Sequence, residues 1–241
     1  MNLKSLWILV LACVATTLSA QKKPLDQSAY DGWKSIVSPK VSENGDWICH
    51  AITPQRGDAL LEFYNVGTKQ TTRIERGGSP AWFNNDTWAT FKIAVPFAKV
   101  RQAKIDKVKA DKMPKDTFAV MNLAEMKVVK LPGAKELKTS AKGALYAYTY
   151  EVTPVKDTTV KYSAAKGNKT PGKYDRLVVV DVRTGDSTVV DSVKNFTVAE
   201  NGRSVLYTRE ADSLKAVYVY TVDPKRGVLQ RELWSSKLGA V

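Results

Sequence analysis

The stretch LVVVDVRTGDSTVV, residues 177–190, holds an apolar strand, a polar residue at Asp181, an apolar one at Val182, a Gly-containing turn and a second strand. Strand-forming residues on both sides of a Gly, Lys, Thr or Pro turn read as a β-hairpin. The same arrangement occurs in LEFYNVGTKQTTRI from Leu60, FAVMNLAEMKVVKL from Phe118 and VYVYTVDPKRGVLQ from Val217. The polar position is then Asn65, Asn122, Asp181 or Thr221, followed by Val66, Leu123, Val182 or Val222. A second hairpin precedes each of these. Its turns are Glu43-Asn44-Gly45, Asn84-Asn85-Asp86, Ala141-Lys142-Gly143 and Glu200-Asn201-Gly202, each leading into a strand rich in aromatic or β-branched residues.

Each unit therefore holds about four strands in fixed order. The link between its second and third strands is short in the outer units (53–59 and 210–216) and long in the middle two (94–117 and 151–176). With the long links reduced to the length of the short ones, the period is 40–41 residues. A four-strand unit near that length is a propeller blade. A β-sandwich also uses many short strands, but lacks a repeated unit with insertions at one recurring place. The expected fold is all-β, a partial β-propeller of about four four-stranded antiparallel blades over 21–241. The blades run roughly 36–75, 80–131, 137–193 and 195–233, with two insertions between second and third strands.

The first residues read as an export signal. Lys4 supplies a positive charge, LWILVLACVATTL from Leu6 an apolar run, and Ser19-Ala20 small residues for cleavage. The run falls short of the ~20 residues that a membrane span needs. A mature protein starting at Gln21, exported to the periplasm or secreted, is expected, with signal peptide 1–20 removed. Val10-Leu11-Ala12-Cys13 loosely resembles a lipoprotein box, but Leu11 fits it poorly. Without the leader only Cys49 remains, so no internal disulfide forms. The formal charge of +13 is compatible with anionic partners. Its plainer source is lysines that solvate strand faces and blunt sheet edges. No nucleic acid and no stable membrane span are expected as partners.

The chemistry-bearing residues are sparse. There is no G-x-S-x-G nucleophile elbow. His50, the only histidine, lies in a strand, where Cys49 points to the opposite face, so the two form no dyad. One histidine and one mature cysteine make no metal site, and no D-x-D-x-D-G loop is present. Gly77-Gly78 is an isolated pair, unlike a phosphate loop. Asp181 and Asp186 sit at turns, where capping explains them. No catalytic, cofactor-binding or metal residue is assigned, and no cofactor is expected.

Two stretches resemble a known family. YDGWKSIVSPKVSENGDWICHAITPQRGD, from Tyr30, is similar to the first blade of bacterial secreted serine peptidases of the prolyl oligopeptidase family. VPFAKVRQAKIDKVKADKMPKDTFAVMNL, from Val95, resembles a basic insertion in one branch of it. The resemblance implies an α/β-hydrolase domain carrying Ser, Asp and His, and a propeller that limits which peptides reach it. None of that triad falls on this sequence, and the paired glutamates that some relatives use to hold a peptide amino terminus have no match. A fragment, a split gene and a degraded one all remain open.

Three functions compete: the substrate-gating propeller of such a peptidase, a free-standing exported binding or scaffold protein, and an anionic-surface binder using Lys99–Lys115. Apolar residues in that last segment make no helical stripe, so a partly helical, solvated excursion is expected. Both insertions should leave the same face of the propeller and be the least ordered parts of the chain.

Overall fold

The computed structural model describes residues 30–153, 173–211, 214–223 and 227–237. Residues 1–20, which the sequence suggests are an export leader and which include Cys13, and most of the second insertion lie outside them. Sixteen strands are described, in four sheets. Blade I holds β1 (Lys34–Val41), β2 (Trp47–Pro54), β3 (Leu60–Asn65) and β4 (Thr71–Glu75). Blade II holds β5 (Gly77–Phe83), β6 (Trp88–Ile93), β7 (Thr117–Asn122) and β8 (Lys127–Leu131). Blade III holds β9 (Ala134–Thr139), β10 (Leu145–Val152), β11 (Tyr174–Asp181) and β12 (Ser187–Val190). Blade IV holds β13 (Val193–Val198), β14 (Ser204–Ala211), β15 (Leu214–Asp223) and β16 (Gly227–Lys237). Within every blade the strands pair in sequence order, and every pairing is antiparallel. This is the propeller-blade arrangement. Val193, which the sequence pattern puts at the end of the third unit, opens blade IV, because the chain turns between blades at Asp191-Ser192.

Strand alternation gives each blade two faces. The face toward the next blade is called forward here, the other backward. On the third strands, forward positions lie two and four residues before the recurrent polar residue. They are Phe63 and Leu61, Val120 and Phe118, Val179 and Leu177, and Val219 and Val217. Blade I's Cys49, Leu61 and Phe63 pack on Phe91, Ala119 and Met121 of blade II. Phe83 and Val120 of blade II pack on Tyr146, Tyr148 and Val180 of blade III. Leu177 and Val179 of blade III then pack on Phe196, Tyr207 and Tyr220 of blade IV. The core is thus three successive junctions rather than one central mass, as in other stacked repeats.

The sequence repeat has a hydrogen-bonding cause. Asn65 Oδ1 accepts from the Thr68 N–H at 2.8 Å, Asn122 Oδ1 from Ala124 at 2.9 Å and Asp181 Oδ1 from Arg183 at 2.9 Å. Each side chain closes its own third-to-fourth turn. Thr221 instead meets Ser204 Oγ across the strands at 3.3 Å. The next N–H reaches back to the first-to-second turn of the same blade: Val66 to Asp46 O, Leu123 to Thr87 O, Val182 to Ala144 O and Val222 to Arg203 O, all at 2.8–3.1 Å. Neighbouring first-to-second turns are joined too. Asn44 N–H donates to Asp86 Oδ2 at 3.2 Å, Asn85 N–H to Ala141 O at 3.2 Å and Lys142 N–H to Glu200 O at 3.1 Å. At the last of these contacts Gly143 and Gly202 touch. A Cβ on Gly143 would run into the Asn201 carbonyl and the Gly202 Cα.

The opposite face carries the second-to-third links and the blade-to-blade crossovers. Each crossover is one or two residues long and includes a residue in the left-handed region: Arg76 (φ 60°), Gly133 (φ 75°) and Ser192 (φ 61°). The first insertion is partly helical and solvated, as its sequence suggests. It forms helix α1 (Phe97–Ile105) and a 3-10 turn (Ala110–Lys112), and neither buries a residue.

Candidate functional site

The link face holds the groups best placed to meet a partner. Helix α1 has no acidic residue in its first turn and no side-chain cap from Pro96. Asp58, on the second-to-third link of blade I, does that work: its carboxylate accepts the Phe97 N–H at 2.7 Å. A carboxylate at a helix start satisfies a free donor and opposes the positive end of the helix dipole. Asp116 accepts the Val95 N–H at 3.1 Å and fastens the other end of the insertion. Between these anchors the seven basic residues from Lys99 to Lys115 are all exposed. They present positive charge on a segment that buries nothing.

At the base of the second insertion an ion network joins three strands or their flanks. Lys135 Nζ lies 2.6 Å from Asp175 and 3.2 Å from Glu151, and Lys173 Nζ lies 2.7 Å from Glu151. Hydrogen bonds from Lys173 and then Lys135 hold the Glu151 carboxyl below its usual range. The network fixes where the link leaves and returns, which is positioning rather than chemistry.

The residues singled out in the sequence fall apart in space. Cys49 is fully buried in the junction of blades I and II. Burial pushes its thiol up to about 11, so it carries no thiolate near neutral pH. His50 points to the backward face, where Nε2 lies 3.4 Å from Glu62 Oε2. Arg73 Nε donates to Glu62 Oε1 at 2.8 Å. Burial alone would raise the Asp181 carboxyl, but bonds from the Arg183 side chain and N–H outweigh it and leave it lowered. Asp186 accepts the Asp181 N–H only through its backbone oxygen. Both aspartates belong to one turn. Among the described residues no group of three or more His, Cys, Asp or Glu is placed to hold a metal ion. No described helix is long and apolar enough to cross a membrane.

The His50–Glu62–Arg73 cluster was not read from the sequence, although the repeat contains the signal for it. Strand register aligns Glu62 with Ala119, Val178 and Tyr218, and His50 with Phe91, Tyr148 and Tyr207. Three blades carry apolar or aromatic residues in these columns, and blade I alone carries two polar side chains there.

With the blade architecture established, likenesses to known proteins can be placed beside it. No family model matches the sequence, and no curated protein matches it. Among solved structures, the acylaminoacyl peptidase of Pyrococcus horikoshii is similar at 9% identity and TM-score 0.45, over 87% of this chain and 34% of the peptidase. The β-propeller domain of the Trilobed protease from Pyrococcus furiosus is similar at 11% identity and TM-score 0.44, over 84% of this chain and 58% of that domain. A structure from a study of two prolyl endopeptidases is similar at 13% identity and TM-score 0.46, over 96% of this chain and 35% of that protein. The chain thus spans about a third of the length of the two whole peptidases. At such identities and TM-scores the likeness decides nothing about activity. The blade architecture rests on this chain's own strand order.

Proposed function

We propose that this chain is the N-terminal propeller portion of an exported serine peptidase of the prolyl oligopeptidase family. It gates and docks peptides for an α/β-hydrolase domain and is catalytically incompetent alone. The observation that carries the reading is the succession of four-stranded blades whose long, basic insertion leaves from the second-to-third link. That link face is where a rigid scaffold of this kind can carry recognition loops. The resemblance of the Tyr30–Asp58 and Val95–Leu123 stretches to the family supports it, as does the lack of a nucleophile elbow in the sequence. A free-standing exported binding or scaffold protein is the second reading, favoured by a basic helix that buries no residue, on an insertion tied down at Asp58 and Asp116.

Labelling with a serine-directed fluorophosphonate tests both parts. The purified 241-residue chain should take up no label. In extracts of the source cells, an antibody against residues 97–113 should detect a labelled species much larger than 241 residues. Label on the purified chain would refute incompetence. An unlabelled native protein of only this length would refute the peptidase reading and leave the second one.

A further inference from the structure

The first insertion gathers positive charge that the fold leaves without a counterion. Its seven cations from Lys99 to Lys115 are all exposed. On the blades, cations meet acids: Arg73 with Glu62, Lys135 with Asp175 and Arg176 with Asp191. Among the described residues none of the seven takes part in an ion pair. The nearby carboxylates are used otherwise. Asp58 and Asp116 accept the N–H groups of Phe97 and Val95, and Asp106 accepts from Gln102 Nε2 at 2.9 Å. Asp111 is the insertion's one remaining acid.

Such a field draws in an anionic partner, and the helix chooses among anions. At about 3.6 residues per turn, the order around α1, alanines and Gln102 aside, is Lys99, Val100, Lys104, Phe97, Arg101, Ile105. Cation and apolar residue alternate. A helix that lies on a lipid surface needs its apolar residues on one side, and α1 has no such side. An extended peptide does not need one. Its carboxylates can meet the cations while its apolar side chains meet Phe97 and Ile105, both exposed. We propose that the first insertion is a docking surface for acidic peptides, chains rich in Asp and Glu. This site deepens the gating reading by naming the class of peptide admitted, and rests on that reading only in calling the peptide a substrate.

Fluorescence anisotropy of fluorescein-labelled octaglutamate, titrated with the purified 241-residue chain, tests it. In about 100 mM NaCl, where charges are screened beyond ~10 Å, octaglutamate should bind and a glycine–serine peptide of the same length should not. The triple variant Lys99→Glu, Lys107→Glu, Lys112→Glu should bind about tenfold more weakly or worse, since each exposed ion pair is worth roughly 1.5- to 5-fold. All three sites are exposed, so native circular dichroism should be kept. Lys34→Glu, Lys127→Glu, Lys130→Glu makes the same charge change at exposed lysines on strands, and should weaken binding less than about threefold. Equal losses in the two variants would overturn the proposal, because net charge alone then explains the attraction. No binding by the unaltered chain would do the same. Phosphatidylglycerol vesicles that strip the peptide from the chain would overturn it in favour of a membrane surface. In native extracts of the source cells, the antibody against residues 97–113 should capture the protein, and octaglutamate should block capture. Capture only after denaturation would show that other chain covers the insertion, and would overturn the proposal. None of these readouts depends on fluorophosphonate labelling. Peptide binding by a native protein that is unlabelled and only this long would refute the peptidase reading and keep the docking surface.

Discussion

Glu62 and His50 show how one column of a repeat can carry different physics at different places. In blades II, III and IV the His50 column is aromatic and lies against the preceding blade. In blade I it faces away from blade II, and the polar side chains of His50 and Glu62 there stay partly exposed. One residue along, Cys49 has the opposite environment. Its thiol is raised from an ordinary 9.0 to about 11 by burial. Below pH 9 the thiol is neutral in both folded and unfolded chains, and the full stability is present. Between about pH 9 and 11 only the unfolded chain ionises, so stability falls as pH rises. Tyr146, pushed to about 12 by burial, adds a loss of the same sign above pH 10. The thermal midpoint should therefore drop from pH 8.5 to 11, and Cys49→Ala should flatten the part between pH 9 and 10. A thiol reagent at pH 7.5 should leave Cys49 unmodified until denaturant is added. An unchanged slope in Cys49→Ala, or rapid native labelling, would contradict the burial argument.

Helix α1 is an element attached to the fold without belonging to its core. Its apolar Phe97 and Ile105 are exposed, and its hold on the blades is the pair of backbone bonds to Asp58 and Asp116. A short helix with no buried face draws little stability from packing. Replacing residues 96–115 by a link of the length found in blade I should leave the thermal midpoint unchanged within error. A fall of several degrees, about 1 kcal/mol or more for a domain of this size, would show that the insertion does support the blades. The turns on the other face differ from it, because there the backbone bonds run from blade to blade. Gly143 and Gly202 meet there at a distance that admits no side chain.

Across the whole molecule, stability is a sum of neighbouring junctions, so equivalent residues should differ in value according to whether their junction is closed. Phe63, fully buried between blades I and II, should cost about 3–5 kcal/mol when changed to Ala. Leu206→Ala, at a site 39% exposed on the forward face of blade IV, should cost less than ~1 kcal/mol, since surface sites away from special features vary by about half that. Urea unfolding of the two variants gives both numbers. Equal losses would mean that the outer face of blade IV is packed in solution by something within the same chain.

The sequence by itself determined the number of blades, their strand order and the place of both insertions. Those follow from local chemistry: turn residues that cap their own hairpins, as Asn65, Asn122 and Asp181 do, and alternation that a one-residue slip would invert. It also placed Cys49 and His50 on opposite faces, because that is a property of a single strand. Crossovers at Arg76 and Ser192 were not legible, since neither residue type announces a left-handed backbone, and so the third and fourth blades met two residues from where the pattern divided them. The helical, solvated character of the first insertion was legible, but the cap of α1 was not, because it comes from Asp58 in another blade. Only the tertiary structure decided which apolar columns are covered. Phe63 and Val219 follow the same local pattern, and what separates them is whether a neighbouring blade lies within van der Waals reach.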